Sequence, residues 1–151
     1  MLERNAPNRG ELAKAQLTLQ EAETKLERIV TLLAERRQER HDLGTHIQEV
    51  AATGDMDRLV DLQNRAVAVD KMIAELSAAE EECTQRVESA RRYLYTLYVR
   101  LERLRQEFSG LMRTMADVDQ GESIPADVQT SLGRIKIQLK AITGENNTGR
   151  L

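Results

Sequence analysis

The chain has 151 residues, 31% of them charged, with one Phe, three Tyr and no Trp; a rounded core would lack its usual large fillers, so burial falls to Leu, Ile, Val and Ala. The formal charge of -3 and a pI near 5.5 give no overall attraction to nucleic acid or anionic membrane, and any such binding would need a local patch. The lone Cys83 excludes an internal disulfide and a multi-cysteine zinc site.

The first predicted element is a helix over residues 9–52. Asn8 followed by Glu11 resembles a capping box after Pro7, so the helix should begin near residue 9, with residues 1–8 a mobile tail. Alternating steps of three and four from Leu12 pass through Ala15, Leu19, Ala22, Leu26, Ile29, Leu33, Arg36, Arg40, Leu43, Ile47 and Val50. Only the two arginines break the apolar stripe.

Thr53, Gly54 and Asp55 then supply a stop and a restart: Gly54 suits the left-handed residue after a helix, and Asp55 can cap the next one. So short a connection makes the flanking helices antiparallel neighbours. The second helix, 56–118, would be roughly 95 Å long at 1.5 Å per residue. The same three-four rule from Leu59 to Val118 fails only at Glu80. A strict 3.5-residue stripe of this length is the pattern of a coiled coil, because it keeps one seam against a partner as both helices supercoil.

Folding at Gly54 sets Val50 opposite Leu59, Ile47 opposite Leu62 and, at the far end, Leu12 opposite Leu97. Leu101, Leu104, Phe108, Leu111, Met115 and Val118 would then lie uncovered, which water penalises. A third helix over 125–142 can cover them: Val128, Leu132, Ile135, Leu139 and Ile142 carry the same spacing, and Pro125 is tolerated in a first turn. Gly144 ends that pattern, leaving 144–151 as a second mobile tail. The expected fold is all-α, a single elongated antiparallel coiled-coil domain with a long central helix flanked by the other two.

No stretch is long and apolar enough for a signal peptide or a membrane span, so the expected location is the cytoplasm or a particle assembled inside the cell. No phosphate loop, metalloprotease motif or nucleophile elbow is present. His41 and His46 are five residues apart and fall on different faces of a helix, so they do not form a metal pair. Cys83 takes a seam position, where a small buried filler is expected. The sequence therefore predicts no catalytic, metal or cofactor site, no cofactor and no small-molecule substrate.

Two groups of residues stand out. Arg36, Arg40 and Glu80 are the polar exceptions on the seams, readable either as side chains whose heads reach water or an ion-pair partner, or as devices that fix register or oligomer state. Arg91, Tyr93, Tyr95, Tyr98, Val99 and Arg105 add aromatic, apolar and cationic area outside the seam, the residue types of protein-interface anchors. Val60, Val67 and Ala74 recur every seven residues away from the main seam, and Val30 and Leu32 flank that of the first helix, as suits a helix with more than one neighbour.

These features point to a non-enzymatic coiled-coil structural or adaptor protein that forms homo-oligomers and binds protein partners, such as a connector or scaffold in a bacterial or phage assembly. The alternative is a cytoplasmic chaperone that holds an amphipathic helix of an export or assembly substrate in place of the third helix. A nucleic-acid role for the Arg/Tyr row is weaker, because Glu102 and Glu107 interrupt it.

Overall fold

The computed structural model describes residues 10–116 and 125–144. Among them are three helices and no strand: α1 (Glu11–Thr53), α2 (Met56–Ala116) and α3 (Ala126–Thr143). The chain is all-α, with α1 packed against α2. The expectations for the 1–8 tail, the Asn8 cap, Val118 and residues 145–151 lie outside the described residues.

Local chemistry sets the helix ends. Gly10 supplies the carbonyl that accepts the Lys14 N–H at 3.2 Å, so it holds the cap position of α1. At the turn, the Thr53 hydroxyl donates to the Val50 carbonyl at 2.7 Å and Gly54 takes φ 78°, the left-handed conformation that a side chain would oppose. Asp55 then starts α2: its carbonyl accepts the Leu59 N–H at 3.1 Å and its side chain accepts the Arg58 N–H at 3.3 Å. Pro125, with ψ 140°, stands just ahead of α3 instead of inside its first turn, and its carbonyl accepts the N–H groups of Val128 and Gln129. Gly144, at φ 75°, closes α3 by donating its N–H to the Lys140 carbonyl at 2.7 Å.

The contacts divide the chain into two compact units, a division the uninterrupted heptads do not signal. The hairpin unit is Gln20–Glu88, built from α1 and the first part of α2. Its core gathers Leu43, Ala66 and Val69 with Ile47, Leu62 and Ile73, which is the register set by folding at Gly54. Leu33, Val50, Cys83 and Val87 are buried along the same seams. Cys83 is thus the small apolar filler its position predicts.

The three-segment unit joins Met1–Leu19 to Ser89–Leu151. Leu101, Leu104 and Phe108 of α2 meet Leu132, Ile135, Leu139 and Ile142 of α3, with Leu12, Leu111, Met115 and Val128 packed around them. The pairing of α3 with the last part of α2 follows the expected spacing. Leu139 and Ile142 are completely buried and Ile135 nearly so, and each such side chain contributes about 1.5–3 kcal/mol relative to exposure. The start of α1 reaches the end of α3: a Cβ placed on Gly10 would fall inside contact distance of the backbone of Ile142, Thr143 and Gly144. Only the absence of a side chain lets those two ends close on each other.

Candidate protein interface

Across the described residues no polar or charged residue is buried, and no buried side-chain nitrogen or oxygen lacks a partner. The seam exceptions follow from this. Arg36 and Arg40 lie half-buried, their aliphatic stems along the seam and their heads turned outward. Arg36 pairs with Glu39 one turn ahead on α1. Arg40 reaches across to α2, where its Nε donates to Asp70 at 2.8 Å. Asp70 therefore takes its cation from the seam. Glu80 is also half-buried, and its backbone carbonyl accepts the Thr84 hydroxyl at 2.8 Å.

These contacts mark two flanks of the hairpin unit. On one, Arg65 reaches Glu39 at 3.4 Å, and Arg58 Nη2 lies 3.1 Å from His46 Nε2. Glu35, Gln38 and Asp42 line a shallow groove with them, so this flank is a solvated mesh of charge. His46 meets an arginine there, while His41 is exposed.

The other flank, marked by Arg40 and Asp70, has a different chemistry. Met56, Val60, Gln63, Val67, Asp70, Ala74 and Ser77 follow one another in steps of four and three, the same period as the buried seam but rotated away from it. Val67 is 68% exposed, Met56 64% and Val60 49%. Val30 on α1 is exposed as well; the exposed Leu32 and Met72, one heptad from Glu39 and Arg65, belong to the charged flank. An exposed valine alone needs no explanation, but a row that sets Met56, Val60, Val67 and Ala74 on one face, between Gln63, Asp70 and Ser77, is the pattern of a helix with another neighbour. The heptad of Val60, Val67 and Ala74 announces the row, and Met56, the first residue of α2, stands at its head.

The Arg/Tyr group belongs to the three-segment unit. Tyr93, Tyr95 and Tyr98 are exposed by 52%, 70% and 45%, Arg91 and Arg105 are exposed, and Val99 is half-buried. Arg91, Tyr95, Tyr98 and Val99 are three or four residues apart and form one continuous surface on α2, which Arg105 extends one heptad beyond Tyr98. Tyr93 lies elsewhere, since five residues along a helix turn it about 140° from Tyr98. Tyr98 is held: Gln16 Nε2 on α1 donates to its hydroxyl at 3.0 Å. That contact is invisible in the heptad pattern because both residues lie just outside the seam.

The described surface holds a second shallow depression, lined by Glu102, Arg105, Gln106, Ser109, Gly110 and Arg113, where Ser109 and Gly110 leave room along a single helix. Among the described residues no group of three His, Cys, Asp or Glu is placed to hold a metal, and no helix is long and apolar enough to cross a membrane. Comparison with known proteins yields no matching family model, no matching curated protein and no matching solved structure.

Proposed function

We propose that this chain is a non-enzymatic structural or adaptor protein that works by self-association and by contacts with other proteins. The observation that carries the reading is the second apolar row on α2, from Met56 through Val60 and Val67 to Ala74. The row is centred on Val67. If two copies of α2 meet antiparallel there, Val60 faces Ala74 of the other copy, and Gln63 and Asn64 face Lys71 and Asp70, so these two charges each meet a neutral amide. A face that complements itself in this way favours a two-fold pair.

The chaperone reading receives less support. Its groove would be the stripe at Leu101–Phe108, which α3 occupies with two completely buried side chains. A client helix would have to displace that packing.

The test is sedimentation equilibrium of the intact chain against Val67→Glu, both at high salt. The wild type should weigh a multiple of its 17.1 kDa chain mass, and the variant should drop to a single chain with unchanged helicity, since Val67 supports nothing inside its own chain. A strictly monomeric wild type at high micromolar concentration would sink the proposal.

A further inference from the structure

The net charge of -3 conceals two opposite charges. The hairpin unit, Gln20–Glu88, carries nine Lys and Arg against sixteen Asp and Glu, a net of -7. The three-segment unit carries thirteen against nine over its whole length, a net of +4, and ten against four among its described residues, a net of +6. The separation follows sequence order: residues 89–151 carry ten Lys and Arg against seven Asp and Glu and residues 1–19 three against two, while the stretch between them is acidic.

Among the described residues of the three-segment unit, the basic side chains are Arg91, Arg92, Arg100, Arg103, Arg105 and Arg113 on α2, beside Glu102 and Glu107, and Arg134, Lys136 and Lys140 on α3, beside Asp127. All nine are exposed. Such a surface creates a field that draws an anionic partner and suppresses approach of its own kind.

We propose that the three-segment unit is a docking surface for the acidic hairpin unit of a second copy of this chain. The argument is charge complementarity: a unit of opposite sign, -7 against +4, is present in every other copy at the same concentration. The proposal rests on the self-association reading above and adds a second contact to it. The two contacts differ in kind. The apolar row pairs a surface with itself and closes after two copies; docking of unlike surfaces is heterologous, and each added copy leaves one basic and one acidic unit open. The mesh of Glu35, Glu39 and Asp42 lies on the flank opposite the apolar row, so both contacts can form on one hairpin unit.

The experiment uses two full-length variants. In the first, Arg92→Glu, Arg103→Glu and Arg113→Glu turn the basic unit's net charge from +4 to -2. In the second, Glu21→Lys, Glu49→Lys and Glu75→Lys remove most of that of the acidic unit. All six positions are exposed, and a circular dichroism spectrum like that of the wild type qualifies each variant.

Wild-type mass by sedimentation velocity should grow with concentration at about 0.02 M salt, where the screening length is on the order of 20 Å. The association constant should fall at least about tenfold by 0.5 M salt. Neither variant alone should show the salt-sensitive growth, and mixing the two should restore it, because the first keeps an acidic unit and the second a basic one. Salt-insensitive association of the wild type overturns the proposal, as does a mixture no larger than its separate components. Recruitment of a duplex DNA oligonucleotide by the second variant, with no complex between the two variants, also overturns it and assigns the basic unit to nucleic acid instead. Failure here leaves the apolar pairing untouched: that contact is read at high salt and is abolished by Val67→Glu alone.

Discussion

The two units solve the same burial problem with different means. In the three-segment unit, α2 meets α3 and the start of α1, and seven large side chains close into one cluster with Leu139 and Ile142 removed from solvent altogether. In the hairpin unit two helices meet along one seam, one of the central three residues is an alanine, and Val30, Met56, Val60 and Val67 stay in water. A pair of helices buries one stripe on each and no more. The difference teaches that a helix crossing from one setting to the other keeps its heptad but changes its surroundings: beyond residue 89 α2 packs against two segments of its own chain, and before it against one, with an apolar row left exposed.

The sharpest way to break that comparison is to remove a large side chain from each unit. Leu139→Ala should cost about 3–4 kcal/mol, because its neighbours on two sides cannot collapse into the space. Leu43→Ala, in a seam open to water along both edges, should cost about 2 kcal/mol. Amide exchange read residue by residue would report them separately, with α3 losing protection in the first variant and the 40–70 region in the second. Equal losses, each spread over both regions, would mean that the two units unfold as one.

Gly10 gives a smaller and more local effect. Its φ is not positive, so alanine meets no backbone strain there, and the consequence isolates the close approach to Ile142, Thr143 and Gly144. Those contacts are backbone atoms that cannot swing aside. Gly10→Ala should therefore cost about 1–2 kcal/mol and speed exchange at the C-terminal turn of α3, while leaving the hairpin unit at wild-type protection. An unchanged exchange pattern would show that the ends of α1 and α3 are not held together in solution.

Much of this fold is legible in the sequence for a simple reason: a period of 3.5 over 60 residues leaves few alternatives. The positions of Gly54, Asp55 and Gly144 follow from the one conformation or cap that each residue type favours, and the α3 register follows from the stripe left bare beyond Leu97. The candidate surfaces are less legible. Periodicity places Val60, Val67 and Ala74 on a shared row but says nothing about whether a neighbour covers them. It also groups Tyr93 with Tyr95 and Tyr98 by proximity in sequence, although the helix turns it away. The net charge hides the opposite charges of the two units, and the place where they divide is hidden further, since a strict heptad carries no mark at residue 88.

The smallest expected effect concerns the arginines in the seam. Arg40 and Asp70 keep 37% and 55% of their side-chain surface in water, so their ion pair contributes at most about 1 kcal/mol and is weakened by salt. Replacing Arg36 and Arg40 together by leucine adds apolar burial against Val69 and Ile73 and releases Asp70 to solvent at little cost. The double variant should gain about 1 kcal/mol by guanidinium denaturation and keep the wild-type mass in the ultracentrifuge. If it gains stability but sediments as several species, the arginines are there to exclude wrong partners and registers, and the hairpin unit gives up stability to keep its open flank selective.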